Sequence, residues 1–292
     1  MLDAPSTSAF AVVPMNISRF PRLARATDDI GFADMTVDTV SSSSIPLAWI
    51  AGVGASAGLG AAVGRRFARA GYGVVLTGRT HERVAAAADE IRAQGGVAYV
   101  ASGDIASEAD VERLAIEVRT LGTLRAAVFN AGNAVRAPTL ELSVAQFENA
   151  WRTNVIGGFL FAKAALEQLL DAGDGAPGDE TPRSLLFTGA TASLRGRPPF
   201  AAFASAKAGL RSLAQTLARE FGPRGIHVAH AVIDGGIDGE RLRGAAPERA
   251  AQAGAAGLLS PDAIADSYWQ LHVQHRSAWT QELDLRPCDE AF

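Results

Sequence analysis

From residue 46 onward, short β-rich apolar runs alternate with longer stretches of helical period, and this alternation constrains the fold more than any other feature. The runs are LAWIAGV, GVVLTG, VAYVAS, RAAVFN, SLLFTG, IHVAHAV and AWTQELDL, seven in all. A strand that leads into a helix cannot turn back as a hairpin. It crosses over and returns parallel, which leaves helices on both faces of the sheet. The expected fold class is therefore α/β, a single doubly wound domain with a seven-stranded parallel sheet spanning 46–292. Two helix starts are legible. SVAQ at Ser143–Gln146 has the form of a capping box, and SPD at Ser260–Asp262 places a capping serine before proline and acid. DAGDGAPGDETP, residues 171–182, is expected to be an acidic Gly/Pro-rich surface loop.

Residues 1–45 mix Ser, Thr, Asp and a few arginines and end in SSSS, with no sustained period. They read as a loosely held N-terminal tail, with Met35 an alternative start. Arg19, Arg22 and Arg25 have the spacing of a targeting helix, but Asp3, Asp28 and Asp29 oppose it. The stretch from Ser41 to Gly64 carries no charge, yet four glycines (Gly52, Gly54, Gly58 and Gly60) divide it into strand, turn and helix rather than a membrane span. A net charge of -4 gives no cationic surface for nucleic acid. A single cysteine, Cys288, cannot form an internal disulfide, which fits a cytoplasmic protein. In 292 residues no second domain is needed to bury a core.

GASAGLG, Gly54–Gly60, follows the first strand and opens a helix. Its glycines let backbone approach a pyrophosphate, and the helix N-terminus favours the negative charge. The same letters match a G-x-S-x-G nucleophile elbow, with Ser56 as nucleophile and a base to be drawn from His227, His230, His272 or His275. The hydrolase reading is the weaker one. An elbow normally follows several strands, whereas here only one precedes it, and a nucleophile does not explain Gly60. His227 and His230 are three apart on a strand and so face opposite sides, while His272 and His275 read as a solvated helix face; no metal site is expected.

Beside GASAGLG stand GDI at Gly103–Ile105, NAG at Asn130–Gly132, Thr153-Asn154, and Lys207 on a long helical segment. In order and spacing these motifs resemble the classical short-chain dehydrogenase/reductase family across residues 46 to 286, with its Rossmann-type fold. The resemblance implies an oxidoreductase acting on a small carbonyl or alcohol. Its cofactor contacts would come from Gly54, Ser56, Gly58, Leu59 and Gly60, from Asp104 and Ile105 beside the adenine, from Asn130, Ala131 and Gly132, and from Ile237. Asn154 would hold a water in the proton relay, and Lys207 would bond the nicotinamide ribose. The resemblance further implies a homodimer or homotetramer built from helices within Trp151–Leu170 and Phe200–Phe221. At the end of the second strand Gly78 and Arg79 stand where an NAD-preferring relative carries an acid, so NADP(H) is the expected cofactor.

The chain departs from the family pattern at three places. Phe203 occupies the position of the catalytic tyrosine four residues before Lys207, Ala190 that of the catalytic serine, and Ile233-Asp234 that of Pro-Gly. The only tyrosines, Tyr72, Tyr99 and Tyr268, are poorly placed, and Phe200 rules out the longer tyrosine–lysine spacing of enoyl reductases. Thr191, Ser193 and Asp234 are the expected substitutes near the strand ends, with Thr188 less so and Ser205 pointing away. Arg195 and Arg197 could meet an anionic substrate. Phe159, Phe161 and Phe221 read as core or subunit contact. The alternative to an enzyme is a cofactor-binding pseudoenzyme with a regulatory or assembly role.

Overall fold

The computed structural model describes residues 45–172, 181–253 and 257–289. Apart from Ile45, the predicted tail lies outside the described residues, as does most of the predicted loop at 171–182. Strands β1 (Leu47–Ala51), β2 (Gly73–Thr77), β3 (Val97–Val100), β4 (Leu124–Phe129), β5 (Ser184–Thr188), β6 (His227–Ile233) and β7 (Glu282–Leu285) form one parallel sheet in the order β3-β2-β1-β4-β5-β6-β7. Each of the seven predicted runs overlaps one strand, β4 starting one residue earlier and β6 ending one residue later than its run. Between them lie α1 (Leu59–Arg69), α2 (His81–Ala93), α3 (Glu108–Leu121), α4 (Val144–Trp151), α5 (Gly157–Asp171), α6 (Ala201–Phe221), α7 (Glu240–Ala245), α8 (Pro247–Gln252) and α9 (Pro261–His272).

The strands read as continuous apolar runs because both faces are covered. Ala48 and Ile50 face one layer, packing with Phe67 of α1, Ile91 of α2 and Tyr268 of α9. Leu47, Trp49 and Ala51 face the other, with Leu114 of α3, Phe161 of α5 and Leu210 of α6. Trp49 is wholly buried, and its indole N–H is satisfied by Thr77 Oγ1 at 2.9 Å. Phe161 is a core residue, 4.7 Å centroid to centroid from Trp49, whereas Phe159 on the same helix is 49 % exposed and Phe221 half-buried. Both predicted caps form. Ser143 and Gln146 make the reciprocal capping box of α4, and the Ser260 side chain accepts from Ala263 N–H at the start of α9.

The histidines differ from expectation. His272 does not belong to a solvated face. It ends α9, 1 % exposed, with Nε2 2.7 Å from the Tyr72 hydroxyl and Nδ1 2.7 Å from Ser184 Oγ, and it packs on Phe67 and Trp269. The apolar positions before it continue the buried stripe of α9 to its last residue, and His275 lies beyond the helix. His227 and His230 do face opposite sides of β6. His227 reaches the carbonyls of Leu271 and Thr280 and stacks on Trp279.

Burial depresses the His272 pKa to about 3, with a smaller push from His227, and depresses those of His230 and His227 as well. In the unfolded chain a histidine titrates near 6.5. Above that pH the ring is neutral in both states. Below it the unfolded chain takes up a proton that the folded chain refuses, so stability falls with falling pH by about 1.4 kcal/mol per pH unit for each such ring. Urea unfolding at pH 7, 6 and 5 should show this loss begin below about pH 6.5, and His272→Asn should flatten the slope by about one proton. An unchanged slope in the variant would show that His272 is not the group responsible.

Candidate active site

The strand order reverses between β1 and β4, and in open α/β sheets ligands bind beyond the carboxyl ends of strands at such a reversal. The two ends are tied together: Asn130 N–H donates to the Ala51 carbonyl at 2.9 Å, and its Nδ2 donates to the Gly52 carbonyl at 3.0 Å. Gly52 has φ +90°, and a Cβ on it would lie 2.3 Å from the Ala131 nitrogen. Gly60 packs α1 against the same joint, since its Cβ would lie 2.8 Å from the Gly52 carbonyl. A Cβ on Gly54 would meet no atom of the described residues within 4 Å, so their packing does not require that glycine.

Ser56 presents its carbonyl to Arg65 Nη1 at 2.6 Å, and none of the described histidines bonds its hydroxyl. The arrangement gives a hydrolytic nucleophile no base. Leu59 is buried as the first residue of α1, and Gly58 is its N-cap. Gly78 needs a reason other than room for a phosphate. A Cβ there would sit 2.1 Å from the Val53 carbonyl, so the glycine is demanded by the close approach of the residue after β2 to the turn after its parallel neighbour β1. Arg79, next to it, is exposed and makes no ion pair among the described residues, while Arg83 faces Glu240 at 3.6 Å. Beyond β3, the Asp104 carboxylate accepts from Ala106 N–H and so shapes its own turn, and Ile105 is buried beside it. Ile237 pairs with Leu259 across an isolated bridge.

At the end of β4, Gly132 brings the predicted residues together. A Cβ on it would lie 2.9 Å from Asn154 Oδ1 and 3.4 Å from Lys207 Nζ. Asn154 sits in a π-helical turn, Arg152–Ile156, between α4 and α5. Its Nδ2 donates to Ala150 O and Asn133 Oδ1, both at 2.9 Å, and its buried Oδ1 has no partner among the described residues. Lys207 donates to the Thr188 carbonyl at 2.8 Å, and burial, then Arg241, lowers its pKa to about 8. Phe203 lies one turn earlier on α6 with its ring centroid 5.9 Å from Nζ. Ser205 turns away to accept from Trp151 Nε1.

The expected substitute donors fare differently. Asp234 is a buried acceptor, taking a hydrogen bond from Thr191 Oγ1, paired with Arg286 at 2.7 Å and with Arg195 at 3.6 Å. Both carboxylate oxygens are taken up, one by the Thr191 hydroxyl and the other by the guanidiniums, so Asp234 is removed from the candidate acids and Thr191 is committed to it. Thr188 is bonded to the buried Tyr268. Ser193 remains. Its Oγ accepts from Ala190 N–H at 3.1 Å and lies 3.3 Å from His230 Nε2. The latter contact, and Glu282 behind it, were not foreseen from the sequence. Among the described residues there is no cluster able to hold a metal ion.

The chain is 36% identical over 178 residues to the short-chain dehydrogenase/reductase eriH of Hericium erinaceus, covering 59% of this chain and 68% of that one. A crystal structure of a short-chain dehydrogenase from Rhodopseudomonas palustris superposes with a TM-score of 0.68 at 34% identity, covering 83% of this chain and 98% of that one. An alcohol dehydrogenase from the archaeon Thermococcus sibiricus, complexed with 5-hydroxy-NADP, superposes with a TM-score of 0.70 at 25% identity, over 84% and 98% of the two chains. The profile described as short chain dehydrogenase matches residues 48–249, and the chain belongs to that family of oxidoreductases.

Proposed function

We propose that this chain binds NADP(H) and transfers hydride between it and a small carbonyl or alcohol substrate, through a site whose proton chemistry departs from the tyrosine-based pattern. The observation that carries the reading is the meeting of Gly132, Asn154 and Lys207 beyond the β1–β4 reversal. These residues fit a dinucleotide. Among the described residues Asn154 Oδ1 is a buried acceptor without a partner and the exposed Arg79, at the end of β2 where a ribose 2′-phosphate would lie, makes no ion pair, while Gly54 leaves backbone approachable. When bound, the cofactor supplies or accepts the hydride. Lys207 would hold the ribose, and the turn at Gly54–Gly60 the pyrophosphate.

Fluorescence titration should show NADPH binding at least about tenfold tighter than NADH, a difference near 1.4 kcal/mol, with the preference lost in Arg79→Ala. Equal affinities in the wild type would remove the assignment of NADP(H). A protein that binds NADPH but turns over no substrate would instead favour a regulatory or assembly role, a reading that Phe203 and Ala190 motivate.

Phe203 fills the space of a tyrosine ring but has no proton to give to the alkoxide that forms when a carbonyl accepts hydride. The wild type should therefore reduce simple ketones slowly. Phe203→Tyr with Ala190→Ser should raise steady-state ketone reduction by about 10-fold or more, within the range a positioned acid contributes. Robust wild-type reduction that the double variant fails to improve would show that the site works by another route.

The reading includes assembly through α4, α5 and α6. Phe147 of α4, Ile156 of the π-helical turn and Phe159 of α5 expose 37 %, 41 % and 49 % of their surface, which is costly unless another chain covers them. Sedimentation at micromolar concentration should show a dimer or tetramer, and Phe159→Glu should shift it toward monomer. A wild-type monomer would contradict the packing.

A further inference from the structure

Behind the site lies a chain of polar groups that the family pattern does not use. His230 on β6 is fully buried and faces α6. Its Nε2 lies 3.3 Å from Ser193 Oγ, and its Nδ1 lies 3.2 Å from Glu282 Oε2 on β7, close enough for the charges to interact although Nδ1 makes no hydrogen bond among the described residues. Glu282 is clamped by Arg211 of α6 through two bonds, at 2.6 and 2.7 Å. The imidazole is seated against the end of β5 so closely that a Cβ on Gly189 would lie 2.3 Å from Nε2. A buried imidazole held between a hydroxyl and a fixed carboxylate is the arrangement by which a serine proton is drawn off. Here the serine stands three residues after Ala190, the position of the absent family serine, and its Oγ is bonded to that residue's backbone N–H.

We propose that Ser193, His230 and Glu282 form a proton relay that takes the place of the missing tyrosine, acting chiefly in the direction of alcohol oxidation. This rests on the reading of the site as an NADP(H)-dependent one. A hydroxyl has one proton and two lone pairs. Ser193 spends one lone pair on Ala190 N–H and directs its proton to Nε2, and the second lone pair can accept the substrate O–H. The alcohol carbon gives its hydride to the oxidised nicotinamide ring and becomes a carbonyl carbon. The alcohol proton passes to Ser193 Oγ as the serine proton passes to His230 Nε2. The ring is then doubly protonated, faces the Glu282 carboxylate, and loses its extra proton to solvent before the next cycle.

The direction follows from what faces the ring. Glu282 from β7 favours the protonated form, Arg211 and Lys207 from α6 oppose it, and burial opposes it more strongly, so that its pKa falls to about 4. At neutral pH the ring is therefore a base ready to accept a proton and, in the reverse direction, a scarce acid.

Imidazole ¹⁵N spectra of the full chain, without cofactor, test the relay directly. At pH 7 His230 should be neutral with its proton on Nδ1, and Ser193→Ala should move the Nε2 resonance while leaving the other histidines in place. A proton on Nε2 would overturn the proposal. With NADP+ and cyclohexanol as probe, Ser193→Ala and His230→Asn should each lower kcat by about 10²-fold without changing NADP+ affinity, and Ser193→Thr should restore much of the rate. A solvent deuterium isotope effect on kcat should be present in the wild type and lost in His230→Asn. Equal kcat and isotope effect in wild type and variants, or no oxidation of cyclohexanol and other secondary alcohols by protein that binds NADP+, would overturn the relay. Failure to bind NADP+ would overturn the functional reading instead, while the spectra still decide the position of the His230 proton.

Discussion

The site depends on the joint between the ends of β1 and β4. Two strands that leave the sheet in opposite senses open a crevice only if their ends stay in register, and here one residue fixes both. Asn130 binds the Ala51 carbonyl through its backbone and the Gly52 carbonyl through its side chain, so the turn after β1 cannot drift from the segment that carries Gly132. That placement sets Gly132 against Asn154 and Lys207. Lys207 in turn ties α6 to the end of β5 through the Thr188 carbonyl, and its buried ammonium has to stay in that bond or be desolvated without recompense.

How much of this the sequence discloses depends on the distance over which each signal acts. The strand runs, the caps at Ser143 and Ser260 and the glycine turn are set by neighbours a few residues away, and all are legible. The conjunction of Asn130–Gly132, Asn154 and Lys207 is legible as well, because order and spacing in a doubly wound chain largely determine what meets at the reversal. Gly78 shows the limit. Its letter fits a cofactor argument, while the nearest obstacle is the carbonyl of Val53, brought in by the pairing of β1 with β2. The π-helical turn that aims Asn154 inward has no compositional mark at all. His272 was misjudged because charge-capable residues are mostly solvated, whereas its two hydroxyl partners come from β5 and the residue before β2.

The same limit explains why the acid candidates had to be re-sorted. Thr191, Ser193 and Asp234 are equivalent by position, each following a strand end. Tertiary charge separates them. Arg286 and Arg195 hold the Asp234 carboxylate, which accepts from Thr191, and Arg211 fixes Glu282 beside His230. Asp234 is buried, so removing Arg286 from it would leave its carboxylate short of a partner where water cannot replace one, whereas Arg211 and Glu282 are partly exposed and their two hydrogen bonds fix geometry more than stability.

The replacement of tyrosine by phenylalanine then changes what Lys207 is for. Beside a tyrosine, a buried ammonium lowers the phenol's pKa and makes it a usable base. Beside Phe203 there is no proton to shift, and the ring's π face, 5.9 Å from Nζ, offers only a weak attraction to the cation. The lysine still lies close to Gly132 and Asn154, and its lowered pKa leaves it mostly charged at neutral pH. A cation there stabilises negative charge on a substrate oxygen in either direction of reaction, which is an electrostatic contribution that survives the loss of the phenol. What the loss removes is the carrier of the proton. A site with charge stabilisation but no phenolic carrier needs another group that exchanges protons with solvent, and among the described residues beside Ala190 only the Ser193 hydroxyl is backed by a titratable ring.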